Sequence, residues 1–429
     1  MSKNLTVLFA PINLVGPVNA SIGIAQVLQH FGHRIVFAVR SEWKGKLAIH
    51  NFEEEIIGTN VNNDGEGSAK QNVEDFQSLF GNKSRLEKLK CVNKDIVSHL
   101  FQEVQENEPF LEDIVTRIKP DVIIADQISL IPSLMCSDIP WVLVMTCNPL
   151  SFQYAIDDHK LPPTALGLPT NGDPNEWNKL KKEINESISD EWNQYNQWIT
   201  SKGIPSLQQY KLITPSPYLN IYIFPEELDY TDIRPLAENF HRFDYFKRSG
   251  NEEVFEIPEK LENKSGKLIY LSMGSMGSGD VQLMKRLISI LAKSRHQFIV
   301  SMGQNGDQYE LADNMWGQKY LPQIKVLATV DMVITHGGNN TLTETFYFGK
   351  PFLVMPLFFD QFDNAQRVEE KGFAIQMDPY NCTEQQLLDA IETTLTNESF
   401  NHKMMKASQR IQKDKNLMKL PKLLQSLVK

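Results

Sequence analysis

Cysteine is scarce in this sequence. Four cysteines occur among 429 residues, and Cys91, Cys136, Cys147 and Cys382 show neither a CxxC pair nor the spacing of metal ligands. Cys136 and Cys147 fall in apolar stretches, where an unpaired cysteine behaves as a small hydrophobic residue. Because disulfides belong to oxidising compartments, the sequence favours a reduced, cytoplasmic protein. No acidic cluster indicates a metal, and we expect neither a metal nor another resident cofactor.

Long hydrophobic runs and basic clusters are also missing. A helix that spans a bilayer needs at least ~18 apolar residues, whereas the apolar segment at residues 5–10 is interrupted by Pro11 and Asn13. No small-residue cleavage site follows, so this segment is predicted to be a buried strand and not a signal peptide. The formal net charge is −10, with lysine and arginine dispersed. Nucleic acids and membranes are therefore not expected as partners.

Short runs rich in valine and isoleucine alternate with helical-period segments, which predicts an α/β fold with parallel sheets. The predicted strands are residues 5–10, 34–39, 122–126, 141–145 and 220–224, then 268–273, 297–302, 332–335, 351–355 and 373–377. We predict two Rossmann-like, doubly wound domains, residues 1–235 and 265–404, facing each other across a cleft. A linker at residues 236–264 joins them. A C-terminal helix at about residues 405–429 is expected to pack back on the first domain.

A glycine-containing turn at residues 336–340 carries the strongest functional signal. It follows the predicted strand at 332–335 and precedes a helix predicted to begin at Thr341. Its two glycines let the backbone approach a ligand closely and point free N–H groups at it. Because a helix N-terminus carries a partial positive charge, this turn suits an anion such as a diphosphate.

The same residues have a structural interpretation, which is a capping box with Thr341 at the N-cap and Glu344 three residues later. Capping boxes occur in helices of any function. However, the polar pair Asp360–Gln361 follows the next predicted strand, and His336 precedes the two glycines. Polar side chains on two adjacent carboxyl-end loops are typical of a ligand site in such folds.

The segment from Tyr320 to Ala365 resembles the signature of the UDP-glycosyltransferase family, the family 1 glycosyltransferases, over about 45 residues. A looser resemblance covers the whole chain, which is similar to the soluble, mite-type members of the family. It implies a GT-B fold and a UDP-sugar as co-substrate. It assigns the uracil to Tyr320 and the Leu321 backbone, and the ribose to Gln323 and Glu344. Tyr320 stands where the family usually has a stacking tryptophan. It assigns the diphosphate to Ser275, His336, Asn340 and Thr341, the sugar to Asn339, Asp360 and Gln361, and completes the donor site with Gly16 and Gly338.

The chain departs from the family at the catalytic histidine. Relatives carry this histidine in a Gly-His-Val-Asn type loop, where this chain has Gly16-Pro17-Val18-Asn19. Proline cannot accept a proton. Asp126, which stands where the family keeps the partner aspartate, is the candidate catalytic residue, and capping of the following loop is its structural alternative. Three outcomes are open: Asp126 acts as the base, the acceptors are acidic phenols that need less help, or catalysis is lost.

The acceptor pocket is predicted on loops of the first domain, with Phe359 from the second. Its candidate residues are Asn13, Phe76, Phe80, Phe152 and Phe359; the aromatic ones suit a flat molecule, but each also suits core packing. The predicted function is inverting transfer of a hexose, glucose, from a UDP-sugar to a hydroxyl of a small lipophilic acceptor such as a flavonoid or xenobiotic. The alternatives are a non-catalytic UDP-sugar-binding protein and a UDP-sugar epimerase, and the epimerase would need several acid–base groups.

Overall fold

The computed structural model describes residues 4–58, 81–246, 255–262 and 264–428. Its first sheet has seven parallel strands in the order β3-β2-β1-β4-β5-β6-β7. These strands are β1 (Thr6–Pro11), β2 (Arg34–Arg40), β3 (Glu53–Ile57), β4 (Val122–Asp126), β5 (Trp141–Met145), β6 (Leu219–Ile223) and β7 (Phe240–Phe243). All residues of β4, β5 and β6 are buried, because helices cover both faces of a parallel sheet and its strands read as apolar runs.

The second sheet has six parallel strands in the order β10-β9-β8-β11-β12-β13. They are β8 (Leu268–Ser272), β9 (Gln297–Ser301), β10 (Met315–Gln318), β11 (Met332–Thr335), β12 (Phe352–Val354) and β13 (Ile375–Gln376). Counted from β8, this is the 3-2-1-4-5-6 order of a doubly wound domain. The observed sheets agree with the predicted α/β class, although β3, β7 and β10 were not predicted.

Helices flank both sheets. Those of the first half are Val15–His30, Arg85–Cys91, Ser98–Ile118, Pro132–Met135, Pro174–Ser187 and Ser189–Ser201. Those of the second half are Gly274–Gly277, Val281–Leu291, Gln323–Thr329, Asn339–Phe348, Gln361–Glu370, Glu384–Thr396, Glu398–Lys413 and Leu420–Leu427. Within the described ranges, none of them combines the length and apolarity that crossing a membrane requires.

The predicted linker at residues 236–264 is wrong at its N-terminal end. Strand β7 lies inside it and extends the first sheet, with Asn220 paired to Phe240. The helix Glu398–Lys413 packs on the helix Asn339–Phe348 of the second domain. The chain then returns to the first domain, where Leu420 and Leu424 are fully buried in its core.

Buried polar contacts join the two domains. The carboxylate of Asp363 accepts hydrogen bonds from Thr164 Oγ1 (2.7 Å) and from the backbone N–H groups of Ala165 (2.6 Å) and Gly167 (2.9 Å). Burial raises the pKa of Asp363 to about 6. The guanidinium of Arg367 donates to backbone carbonyls of the first domain. These contacts hold the carboxyl-end loops of the two sheets against each other.

Candidate active site

Both sheets reverse their strand order beside their first strand, and ligands of doubly wound folds bind at such switch points. In the second sheet the reversal lies between β8 and β11, where Ser272 pairs with Thr335. In the first sheet it lies between β1 and β4, where Pro11 pairs with Asp126. The predicted diphosphate turn and the predicted catalytic residue therefore each follow a switch point.

The turn at residues 336–340, which we call the diphosphate turn, leads into the helix Asn339–Phe348, whose N-cap is Gly338. The helix thus begins two residues before the predicted start at Thr341. No side chain among the described residues caps it, so the predicted capping box is wrong. The reason is that Gly338 supplies the extended N-cap backbone without a side-chain oxygen. The N–H groups of the first turn are therefore not capped by a side chain of the protein, as an anion site requires.

The ring of His336 lies close to Gly338 of this turn and to Gly274, which follows strand β8. A Cβ atom added to Gly274 or to Gly338 would lie 2.4 Å from His336 Nε2, so only glycine fits at either position. Burial lowers the pKa of His336 to about 4, and the imidazole is neutral at pH 7. It can thus offer a hydrogen bond to a phosphate oxygen. Ser275 follows Gly274 and is exposed.

The predicted ribose residues lie together. Gln323 Nε2 donates to Glu344 Oε2 (2.5 Å) and to Thr341 Oγ1 (3.3 Å), and Glu344 is buried. Leu321 is half-buried. Tyr320 is 68% exposed, with its hydroxyl in contact with Gln304, so most of its ring is open to a base.

Two of the predicted sugar residues, Asp360 and Gln361, follow strand β12. Asp360 Oδ2 accepts a hydrogen bond from the backbone N–H of Asn148 in the first domain (2.8 Å), and burial raises the pKa of Asp360 to about 7. The side-chain oxygen of Gln361 accepts from the N–H groups of Leu357 (3.0 Å) and Phe358 (3.2 Å). This fixes the loop and leaves the amide nitrogen of Gln361 to donate.

Two predicted donor residues also contact the first domain. Asn340 Nδ2 donates to the carbonyl of Gly16 (2.8 Å), in the first turn of the helix after β1. Asn339 Nδ2 donates to the carbonyl of Ile223 at the end of β6 (2.8 Å). These side chains therefore tie the donor helix to the first domain, and contacts of both residues with the donor stay predictions.

Asp126 is 6% exposed at the end of β4. Thr146 Oγ1, which follows β5, donates to Asp126 Oδ2 (2.7 Å). Burial raises the pKa of Asp126 to about 7, and the hydrogen bond from Thr146 opposes this shift. Pro17 is the third residue of the helix Val15–His30, where the backbone N–H has no intrahelical partner and its loss costs little.

The predicted acceptor residues have different locations. Asn13 lines a cavity beside the segment that follows Asp126, and Phe359 has a left-handed backbone with φ of +53°. The prediction that Phe152 contacts the acceptor is wrong. Phe152 is 1% exposed, and its ring packs in the core of the first domain. Phe76 and Phe80 lie outside the described residues.

Sequence reasoning did not single out Thr146 or Asn148 individually. Both follow strand β5, at the same sheet edge as Asp126. Their place directly after a predicted strand next to β4 could have indicated both residues from the sequence. Asn148 is fully buried and its side chain donates to Asn364 (2.9 Å), whose own amide donates to the carbonyl of Gly337 in the diphosphate turn (2.8 Å).

Comparisons with known proteins agree with this arrangement. A profile of the family described as "UDP-glucoronosyl and UDP-glucosyl transferase" matches residues 220–423, which contain the whole second sheet. NDP-glycosyltransferase YjiC of Bacillus subtilis (strain 168) is 23% identical over 407 residues, which cover 93% of this chain and 90% of that protein. Residues 220–423 thus match the UDP-glycosyltransferase family, and the chain is similar to a glycosyltransferase along nearly its whole length.

Human UDP-glucuronosyltransferase 2B10 is 31% identical to this chain over 165 residues, which cover 37% of this chain and 31% of that one. Among solved structures, the glycotransferase of kitacinnamycin aligns over 100% of both chains, with a TM-score of 0.72 and 16% identity. The spinosyn rhamnosyltransferase SpnG, complexed with thymidine diphosphate, covers 98% of this chain and is covered completely, with a TM-score of 0.64 and 18% identity. The predicted GT-B fold is confirmed.

Proposed function

We propose that this protein is a UDP-glycosyltransferase that transfers a hexose, glucose, from a UDP-sugar to a hydroxyl of a small lipophilic acceptor such as a flavonoid or another xenobiotic. The observation that carries the proposal is Asp126, a buried carboxyl group at the switch point of the first sheet. Strand β1, which pairs with the strand of Asp126, leads into the helix Val15–His30. Asn340, in the helix Asn339–Phe348, donates a hydrogen bond to the carbonyl of Gly16 in the first turn of that helix. An ionisable group and an anion site thus lie on elements that touch each other across the cleft.

The donor is proposed to bind the second domain. The uncapped N-terminus of the helix Asn339–Phe348 and the neutral imidazole of His336 would bind the diphosphate, and Tyr320 would stack on the uracil. Glucose is supported by a relative named as an uncharacterised UDP-glucosyltransferase, YojK of Bacillus subtilis (strain 168), which is 22% identical over 415 residues. A nucleoside diphosphate is supported by the thymidine diphosphate in the structure of SpnG.

The proposed reaction is a single displacement with inversion. Asp126, directly or through one water, takes the proton of the acceptor hydroxyl as the acceptor oxygen forms its bond to the anomeric carbon. The bond from that carbon to the β-phosphate oxygen breaks, and UDP leaves with the electron pair. The helix N-terminus and His336 stabilise the departing charge by preorganised dipoles, so the proposed mechanism needs no metal. A base with a pKa of about 7 is matched to neutral pH.

A second candidate is a non-catalytic UDP-sugar-binding protein in the cytoplasm, which Pro17 favours because it removes the histidine base of the family. Mass spectrometry of the protein with UDP-glucose and a panel of flavonols separates the two candidates. A product heavier by one hexose, lost in Asp126→Asn with UDP binding intact in calorimetry, is expected from the enzyme. UDP binding without product from any acceptor would favour the binding protein.

A further inference from the structure

A chain of hydrogen bonds runs from the first domain to the diphosphate turn. Asn148 Nδ2, after strand β5, donates to Asn364 Oδ1 (2.9 Å), and Asn364 Nδ2 donates to the carbonyl of Gly337 (2.8 Å). Both asparagines are fully buried. Because hydrogen bonds are electrostatically stronger in a low-dielectric interior than in water, the two side chains hold this carbonyl in one direction.

The two ends of the chain fix the direction of both amides. Asn148 Oδ1 accepts a hydrogen bond from the backbone N–H of Leu150 (2.9 Å), so the amide nitrogen of Asn148 must face Asn364. At the other end, the carbonyl of Gly337 can only accept a hydrogen bond, so the amide nitrogen of Asn364 must face it. Asn148 therefore holds the oxygen of Asn364, while the nitrogen of Asn364 holds the diphosphate turn.

The carbonyl of Gly337 belongs to the same peptide unit as the N–H of Gly338. This unit is planar and trans, so the N–H of Gly338 points in the direction opposite to the carbonyl and away from Asn364. Gly337 has a φ of +84°, and neither glycine has a Cβ atom that would hinder rotation of the peptide. The orientation of this N–H therefore depends on the hydrogen bond from Asn364.

The N–H of Gly338 is available to a ligand. It makes no hydrogen bond to any residue that the structure describes. Gly338 is the half-buried N-cap of the helix Asn339–Phe348, and free N–H groups at a helix N-terminus bind phosphate. The ring of His336, which is proposed to contact the diphosphate, lies beside Gly338.

We propose that Asn148 and Asn364 are positioning residues for the donor, which together orient the Gly337–Gly338 peptide so that the N–H of Gly338 donates to the diphosphate. The inference rests on the proposed function of the second domain in binding a UDP-sugar. Because Asn148 belongs to the first domain, contact between the domains holds this N–H in place. The same loop holds the proposed base through Thr146, so one segment of the first domain serves both donor and acceptor.

The affinities of UDP and uridine for the full chain, measured by calorimetry, test this inference. Uridine has the base and the ribose but no phosphate, so its affinity reports the rest of the donor site. Asn364→Leu keeps nearly the shape of asparagine without its hydrogen bonds. It is expected to weaken UDP binding by about 10- to 100-fold, the usual contribution of a hydrogen bond to a charged group, and to leave uridine binding unchanged. Asn148→Leu should have a smaller effect of the same kind.

A double variant separates positioning from general damage to the site. Because Asn148 acts through Asn364, the combination of Asn148→Leu with Asn364→Leu should bind UDP as weakly as Asn364→Leu alone. Tyr230→Phe is the matched control. The hydroxyl of Tyr230 accepts a second hydrogen bond from Asn148 Nδ2 (3.3 Å) but lies outside the chain to Gly337, so both affinities should stay at the wild-type values. Asn148→Ala, which should also lose affinity for UDP alone, decides the matter if the leucine variants do not fold.

Equal losses for UDP and uridine, unchanged UDP affinity in the variants, additive losses in the double variant, or a wild type that does not bind UDP would overturn the inference. Formation of a glucoside is followed separately. If the variants lose affinity for UDP alone and the wild type forms no glucoside, the positioning role stands and the proposed transfer fails. If the wild type forms a glucoside and the variants bind UDP normally, the transfer stands and the positioning role fails.

Discussion

The hydroxyl of Thr146 offers the sharpest test of how Asp126 works. Thr146 Oγ1 donates to Asp126 Oδ2 at 2.7 Å, and a donor to a carboxylate stabilises the ionised form. The substitution Thr146→Val removes this donor and keeps the volume of the side chain. The pKa of Asp126, which burial already raises to about 7, should therefore rise further.

The size of the rise follows from the strength of the bond. A hydrogen bond to a charged group contributes about 1.5–3 kcal/mol, and one pKa unit corresponds to about 1.4 kcal/mol. The pKa of Asp126 should thus rise by about one to two units in Thr146→Val. Because a general base acts in its ionised form, the acidic limb of kcat/KM against pH should move from near pH 7 to about pH 8–9.

The assay follows glucosyl transfer to an unactivated phenol, which itself ionises only near pH ~10. Thr146→Ser, which keeps the hydroxyl, is the matched control and should leave the limb near pH 7. Asp126→Asn should abolish the limb and lower kcat by about 10²–10⁴-fold, the usual contribution of a general base. An unmoved limb in Thr146→Val would show that Asp126 is not the titrating base.

Two further predictions concern the donor site. Tyr320→Ala should weaken UDP binding by about 1–3 kcal/mol in calorimetry, by analogy with base–aromatic stacking, whereas Tyr320→Trp should preserve it; equal affinities would exclude stacking. Gly274→Ala should abolish UDP binding, because its Cβ would lie 2.4 Å from His336 Nε2. Gly45→Ala is its control, since Gly45 has a similar positive φ of +80° and no neighbour within 4 Å, and an equal effect of both would contradict the argument.

Strand positions were the part of the fold that the sequence predicts best. The strands β1, β2, β4 and β5 lie at the predicted positions, because strands buried on both faces read as continuous apolar runs. The resemblance to the UDP-glycosyltransferase family, and not strand order, predicted that Gln323 and Glu344 share a site, because strand β10, which precedes Gln323, was not predicted. Edge strands do not carry that signal: β3 begins Glu53-Glu54-Glu55, and β7 is four residues long.

Contacts between the two domains could not be predicted from the sequence. Asn340 and Gly16 are 324 positions apart, and no local pattern indicates that an asparagine of the donor helix faces the first domain. Phe152 was misplaced for a related reason. An aromatic residue in a loop after a strand fits a ligand pocket and a core equally well until its neighbours are known.

The pH dependence of protein stability tests the raised pKa of Asp126. The pKa of Asp126 is about 7 in the folded protein against 3.8 as its ordinary value, so the folded state binds more protons than the unfolded state between these pH values. Stability therefore falls as pH rises through this window, by at most about 4 kcal/mol. In urea unfolding, Asp126→Asn should be more stable than the wild type at pH 8, with the difference vanishing below pH ~4. An Asn variant that is less stable than the wild type at pH 8 would contradict the raised pKa of Asp126.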